Sequence, residues 1–165
     1  MKLLSLDSSF IPNKYATEKL GRNIYYRNKR GRKISAIVDE KGIPLNIHLS
    51  AGNKHDARIA PKIISKIKVS GDYLLADKAY DSNKIREMIK SKKIKSIIPR
   101  RKYKNRRTKS LKKKHVQIYK KRIIVENFFA WIKAYPKINC IYEKTSESFK
   151  GLLLLSISIL IYKRL

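Results

Sequence analysis

Two aspartates of the chain stand at positions where a carboxylate needs a particular reason to be present. Asp7 interrupts the apolar run "LLSLDSSF", and Asp77 ends the apolar run "YLLAD". A carboxylate in or at the end of a buried strand is costly unless it pairs with a cation or binds a metal ion. For either aspartate alone, a salt bridge to a neighbouring lysine is the better explanation of its position.

A third acid, Glu126, lies in the basic and aromatic stretch "YKKRIIVENFFAWIK" (119–133). On a helix that turns by about 100° per residue, Tyr119, Arg122, Glu126 and Lys133 fall on one narrow stripe, opposite most of the apolar residues. A solvent-facing stripe with an Arg122–Glu126 pair, worth about a few tenths of a kcal/mol, also fits this pattern. The functional interpretation gains support because it unites two strand carboxylates with one helix carboxylate.

Three clustered carboxylates cannot all stay ionised without compensation, and oxygen ligands of this kind suit Mg²⁺ or Mn²⁺. Two such ions, roughly 3.5–4 Å apart, can activate a nucleophile and stabilise the leaving oxygen of a phosphodiester. We therefore predict that Asp7, Asp77 and Glu126 are catalytic and hold two divalent ions. Arg122 and Lys133, on the stripe of Glu126, are predicted to contact phosphates.

The charge of the chain favours nucleic acid as the partner. There are 41 Lys and Arg against 12 Asp and Glu, a formal net charge of +29. Such a balance predicts a polyanionic partner. The basic stretch "GRNIYYRNKRGRK" (21–33) is interleaved with Tyr25 and Tyr26, whose rings offer faces to bases. A second basic block, "RRKYKNRRTKSLKKKH" (100–115), has no acid, although a solvated face is the ordinary explanation of any charge run. The DNA-binding residues predicted in this block are Arg100, Arg101, Lys104, Arg106 and Arg107.

Composition excludes several other classes of protein. A hydrophobic fraction of 42% over 165 residues fits a single domain, residues 1–165, with a real core. The longest apolar run (151–162) is shorter than the ~20 residues that a membrane-spanning helix needs, so no membrane partner is expected. Cys140 is the only cysteine, which excludes an internal disulfide, and the three histidines form no metal motif. These features predict a cytoplasmic protein.

The apolar patterns predict an α/β fold with a mixed five-stranded sheet and helices on both faces. A hairpin at Lys41-Gly42 is expected to join the second and third strands. Pro61 suggests that the first helix begins near Ala60, and Asp81 or Ser82 is expected to cap the second. The predicted strands are 2–10, 33–40, 43–50, 72–77 and 95–99. The predicted helices lie within 53–69 and over 81–91, 118–134 and 146–163.

These motifs resemble the DDE-type transposases of bacterial insertion sequences. Tyr119-x2-Arg122-x3-Glu126-x6-Lys133 is similar to their Y-R-E-K signature, and "LADKAYDS" (75–82) to their second-aspartate motif. "LDSSF" resembles the first-aspartate strand, and "GIPLNIHLSAGNKHD" (42–56) the hairpin and following turn. The resemblance covers nearly the whole chain and is strongest to the insertion-sequence-five group.

The resemblance implies an RNase H-like fold in which Asp7, Asp77 and Glu126 form a metal-binding triad. Tyr119, Arg122 and Lys133 match positions associated with DNA-end contact. The implied reaction is metal-dependent cleavage at transposon ends, followed by attack of the freed 3′-hydroxyl on target DNA. A homodimer in a synaptic complex is expected, with a nucleoid-associated location in a bacterial cytoplasm.

One departure from the family pattern keeps other interpretations open. Asp7 lies close to the first residue, so the usual N-terminal DNA-binding segment is expected to come from an upstream reading frame. The chain alone is therefore not expected to recognise transposon ends specifically. The alternatives are a catalytically inactive basic remnant that binds nucleic acid, and an RNase H-like nuclease that cuts without strand transfer.

Overall fold

The structure, a computed structural model, describes residues 1–13, 15–68, 70–101, 110–139 and 141–163. Its strands are β1 (Leu3–Pro12), β2 (Gly21–Asn23), β3 (Lys29–Val38), β4 (Pro44–Ala51), β5 (Tyr73–Ala76) and β6 (Lys95–Ile97). Its helices are α1 (Asp56–Ile64), α2 (Asn83–Ser91), α3 (Lys113–Lys120), α4 (Ile123–Lys133), α5 (Pro136–Asn139) and α6 (Ser146–Tyr162). Single 3₁₀ turns lie at Ile24–Tyr26 and Lys78–Tyr80.

The strands form one mixed sheet centred on β1. β1 pairs antiparallel with β3 on one side and parallel with β5 on the other, and β5 continues in parallel to β6. The far edge of β3 pairs with β2 near its start and with β4 along the rest. The predicted mixed sheet is confirmed, but the described residues contain six strands and not five. The additional strand is β2, which lies in the first basic stretch.

The register between β1 and β5 determines where the two predicted catalytic aspartates lie. Leu6 stands beside Ala76, so Asp7 and Asp77 are the next residues along two adjacent parallel strands. Asp7 continues within β1, whereas Asp77 follows the last residue of β5. Parallel pairing therefore brings together two acids that are distant in the sequence.

Helices cover both faces of the sheet, as predicted. Along β3 the side chains alternate, so that Ile37 enters one core while Ala36 and Val38 enter the other. The first core lies under α1 and α2, and the second under α4, α5 and α6. Phe128 and Phe149 are fully buried in the second core, which anchors α4 and α6 to the sheet.

Two helix predictions need correction. α1 begins at Asp56 and not near Ala60, because Pro61 is accommodated inside the helix. The predicted helix 118–134 is two helices, α3 and α4, separated by a turn at Lys121–Arg122. Around this turn the backbone N–H groups of Arg122 and Val125 bond three residues back instead of four. Tyr119 therefore lies in α3, Arg122 in the turn, and Glu126 and Lys133 in α4, and not on one continuous helix.

The ends of the other helices follow the prediction more closely. α6 covers the predicted C-terminal segment, and the side chain of Thr145 caps it by accepting a hydrogen bond from the Ser148 N–H at 3.2 Å. Ser82 is the residue before α2 but makes no side-chain capping bond. Of the predicted basic loop 100–115, Lys113–His115 belong to α3, and residues 102–109 lie outside the described residues.

Candidate active site

Asp7 is the most constrained acid of the site. Its carboxylate accepts hydrogen bonds from the Ser8 N–H and from Arg122 Nη1, both at 2.8 Å. Burial raises the pKa of Asp7, and the nearby charge of Asp77 raises it further, while the bonds from Ser8 and Arg122 oppose the rise. Asp7 thus lies at a point where negative charge accumulates and only Arg122 supplies a paired cation among the described residues.

Asp77 lies beside Asp7 and shapes the backbone that follows β5. Its carboxylate accepts a hydrogen bond from the Ala79 N–H and so caps the 3₁₀ turn Lys78–Tyr80. Asp7 and Asp77 line the same small cavity, of about 170 Å³. The structure therefore brings the two predicted strand carboxylates together.

Glu126 reaches this site through Arg122. The guanidinium of Arg122 donates to the carboxylate of Asp7 and also to that of Glu126, one helical turn further along the chain. Burial lowers the pKa of Arg122, but the charges of Asp7, Tyr119 and Glu126 outweigh it and raise the pKa overall. The side chain of Glu126 is 50% exposed, which places it at the rim of the site.

The donor set fits a divalent cation in its chemistry, because carboxylate oxygens are the preferred ligands of Mg²⁺ and Mn²⁺. The juxtaposed Asp7 and Asp77 supply two of the three predicted ligands. Within the described ranges, however, no group of three or more histidine, cysteine, aspartate or glutamate side chains is close enough to hold a metal ion. Glu126 is bonded to Arg122 instead, so its role as a third ligand stays a prediction.

Asp56, which is not among the site residues predicted from the sequence, belongs to the same site. It lies in the first turn of α1, and its carboxylate accepts hydrogen bonds from Ser8 Oγ at 2.6 Å and from Lys33 Nζ at 3.0 Å. Burial raises the pKa of the Tyr80 hydroxyl well above its usual value, and the charges of Asp56, Asp7 and Asp77 raise it further. The sequence signal for Asp56 was its place at the end of "GNKHD" (52–56).

Two further residues of the predicted stripe contact this region. The ring of Tyr119 lies 5.9 Å from the guanidinium carbon of Arg122. Burial raises the pKa of Tyr119, and the charges of Asp77 and Asp7 raise it further, while the charge of Arg122 opposes the rise. Lys133 is half-buried and donates from Nζ to the Phe10 carbonyl at 3.3 Å, and burial lowers its pKa. In this structure Lys133 secures α4 to β1.

Arg100 and Arg101 follow β6 and border the site from the other side. Arg101 donates to the carbonyls of Lys78 and Ala79 at 3.0 and 2.9 Å, and its N–H donates to Asp81. Asp81 also pairs with Arg86 at 2.7 Å and with Arg100 at 3.4 Å. This network fixes the turn after Asp77. Lys104, Arg106 and Arg107 lie outside the described residues, so their predicted DNA contacts stay predictions.

A larger cleft of about 930 Å³ opens next to the acids. Asp56 and Asp77 lie on its wall together with Lys33 and Tyr25, all four of which also line the small cavity. Most of the other charged residues of its lining are basic. An anionic polymer can therefore approach the carboxylates along a positively charged surface.

A membrane span is not among the described helices, since none of them has both the length and the hydropathy that crossing a bilayer requires. This includes α6, which holds the longest apolar run of the chain.

Comparisons with known proteins agree with this geometry. The family model described as "Transposase DDE domain" matches residues 1–161. The chain is 33% identical over 119 residues to a putative transposase for insertion sequence element IS6501 of Brucella ovis, covering 72% of this chain and 88% of that relative.

The fold is similar to that of the piggyBac transposase in a synaptic complex with hairpin DNA, with a TM-score of 0.61 and 12% identity. That likeness covers 95% of this chain, which spans only 45% of the piggyBac chain. The structural likeness supports the RNase H-like architecture expected from the sequence. Because the family model matches nearly the whole length of this chain, the chain belongs to the transposase DDE-domain family.

Proposed function

We propose that this chain carries out the chemical steps of DNA transposition. A phosphodiester at a transposon end is hydrolysed with the help of a divalent metal. The freed 3′-hydroxyl then attacks a phosphodiester of target DNA, which joins the two strands and releases a 3′-hydroxyl end of the target strand. The observation that carries the proposal is the juxtaposition of Asp7 and Asp77 on adjacent strands, with Arg122 bonded to Asp7 and the ring of Tyr119 next to Arg122. Membership of the transposase family supports the same reaction.

Each residue has a distinct role in this proposal. Asp7, Asp77 and Glu126 would hold Mg²⁺ or Mn²⁺, as two ions, and the ions would supply activation of the nucleophile and stabilisation of the leaving oxygen. Arg122, which pairs with Asp7 and Glu126, would use its planar donor fork to bind a phosphate. Tyr119 would contact the DNA backbone through its hydroxyl.

Asp77→Asn is the direct test. Its matched control is Asp72→Asn, because Asp72 precedes β5 at the opposite end of the same strand and accepts a hydrogen bond from the exposed Lys2 N–H. We expect the wild type and Asp72→Asn to nick DNA that bears the element's ends in Mg²⁺ and not in EDTA. Asp77→Asn should cut no faster than the EDTA reaction. Equal cutting by Asp77→Asn and wild type would contradict the proposal.

The same assay separates the alternatives. Transfer of the 3′-hydroxyl product to a second duplex is expected of a transposase, whereas a nuclease would release cut DNA only. A non-catalytic remnant would bind DNA without any Mg²⁺-dependent product. All three are expected to bind DNA in a salt-sensitive way. A protein that neutralises 6–10 phosphates loses about 10³–10⁵ in affinity when the salt concentration rises from 50 to 200 mM.

The basic block is proposed to contribute to that binding. Charge-neutral replacements of Arg100 and Arg101, together with Lys104, Arg106 and Arg107, should weaken binding to all DNA sequences and flatten the salt dependence. An unchanged dependence of DNA affinity on salt concentration would show that the block does not contribute to DNA binding. The same proposal includes the association of two copies in a synaptic complex, an upstream DNA-binding segment and association with the nucleoid.

A further inference from the structure

The turn between β2 and β3 displays two large apolar side chains that the proposed chemistry does not use. In the 3₁₀ turn Ile24–Tyr26, Ile24 is 83% exposed and Tyr25 is 94% exposed. The next residue, Tyr26, is 47% exposed, and its ring centroid lies 4.8 Å from that of the buried Phe10. One tyrosine of the turn therefore packs against the protein with part of its ring, whereas the other is almost fully presented to the solvent.

The exposure of Tyr25 is built into the fold, because the turn that carries it is held on both sides. The buried Asn23 accepts a hydrogen bond from the Tyr25 N–H at 3.0 Å and donates to the Gly52 carbonyl at 3.2 Å. A Cβ on Gly21 would lie 2.3 Å from the Asn53 side chain, so this strand packs directly against the 52–53 turn. Because the backbone that carries Tyr25 is already held in place, little backbone freedom would be lost when a ligand binds to this side chain.

Tyr25 also occupies a functional position. It lines both the basic cleft and the small cavity that contains Asp7 and Asp77. The exposed cations Arg22, Lys54 and Lys78 stand around the same cleft. Within the part of the chain that the structure describes, none of these three cations forms a salt bridge.

A positively charged groove alone would accept any DNA, but an exposed aromatic ring beside it adds a preference. Bases in a duplex are stacked on one another and cannot offer their faces to a side chain, whereas an unpaired base can. Binding sites for single strands combine a cationic groove along the backbone with aromatic rings on which bases stack. The described cleft holds both features within reach of the carboxylates.

We propose that Tyr25 stacks an unpaired base of the DNA strand while Arg22, Lys54 and Lys78 bind the phosphates that flank it. The ligand is thus a single-stranded DNA segment, or a duplex end whose terminal bases have separated. This inference rests on the proposed function for the identity of the nucleic acid, but the stacking site is defined by the cleft itself.

The test compares two oligonucleotides in EDTA, so that no cleavage occurs. One is a fully paired duplex and the other has the same length with four unpaired nucleotides at one end. Fluorescence anisotropy should show that the wild type prefers the second, and that Tyr25→Ala reduces its affinity for that DNA by about tenfold or more while leaving duplex binding nearly unchanged. Tyr25→Phe should keep the preference, because the ring and not the hydroxyl stacks.

Tyr162→Ala is the matched control, because Tyr162 is 81% exposed at the end of α6 and lines neither cavity. It should keep the wild-type preference. The inference is overturned if Tyr25→Ala keeps the preference, if Tyr25→Phe loses as much as Tyr25→Ala, or if Tyr162→Ala loses as much. Because these measurements need no catalysis, their failure is distinct from failure of the Asp77→Asn cleavage test.

Discussion

Arg122 provides the sharpest test of the site's electrostatics. It is the one described cation paired with Asp7, and it also bonds to Glu126. Arg122→Gln removes the charge and keeps a side chain that can donate a hydrogen bond. Lys121→Gln is the matched control, because it removes one positive charge from the neighbouring exposed position, which has no salt bridge among the described residues.

The size of the effect follows from the burial of the pairs. The side chains of Arg122 and Asp7 are 17% and 24% exposed, so their bond lies between a surface pair and a fully buried one. Hydrogen bonds to charged groups contribute about 1.5–3 kcal/mol. The half-exposed Glu126 adds about 0.3–0.5 kcal/mol, as for other surface pairs one turn apart on a helix. We expect Arg122→Gln to lower the free energy of unfolding by about 2–3.5 kcal/mol in total.

The assay is urea unfolding at neutral pH, followed by circular dichroism and by the fluorescence of Trp131, the only tryptophan, which lies in α4. A double-mutant cycle with Asp7→Asn isolates the pair. Because Asp7→Asn removes both the buried charge and its repulsion by Asp77, Arg122→Gln should cost less than about 1 kcal/mol in that background. The reasoning is refuted if Arg122→Gln behaves like Lys121→Gln in both backgrounds.

Three further outcomes are expected. Asp56→Asn should lower the free energy of unfolding by about 1–2 kcal/mol, because the carboxylate that bonds Lys33 is lost; an unchanged urea midpoint would contradict this. Asp81→Asn should speed hydrogen exchange of the Arg101 backbone amide, because the Asp81 carboxylate accepts a hydrogen bond from that amide at 2.9 Å. An unchanged exchange rate would disprove this anchoring role. The hydrogen bonds from the Ser146 backbone and hydroxyl lower the pKa of Glu18. The Glu18 carboxylate therefore stabilises the fold fully above the pKa of the unfolded chain, near 4.5, and this stabilisation is lost as the pH falls through the lower pKa of the folded chain. Glu18→Gln should lower the urea midpoint at pH 7 and lower it less at pH 3.

The sequence predicted the parts of the fold that local patterns specify. The hairpin around Lys41-Gly42 and the strands that carry Asp7 and end at Asp77 have clear apolar runs, and the structure has them at those places. The membership of the transposase family was also predicted from the motifs and is confirmed by the family match. The assignment to the insertion-sequence-five group stays a prediction.

Other features depend on tertiary contacts that no local pattern reveals. The three-residue strand β2 has no alternation of its own and exists because it pairs with β3. The turn at Lys121–Arg122 contains neither glycine nor proline, so helical periodicity continued through it in the prediction. Asp56 was not among the predicted site residues, because its bonds to Ser8 and Lys33 join α1 to strands that are distant in the sequence.

The most direct test of the central claim is a measurement of Mn²⁺ affinity by the electron paramagnetic resonance signal of the free ion. The claim predicts that the wild-type chain and Asp72→Asn bind Mn²⁺ equally. Asp7→Asn, Asp77→Asn and Glu126→Gln each remove a direct ligand. Each should weaken binding at least as much as removal of an outer-shell partner, which costs about 10–100-fold in metal affinity. Equal Mn²⁺ affinity in the wild type and in all three of these variants would contradict a shared cation site.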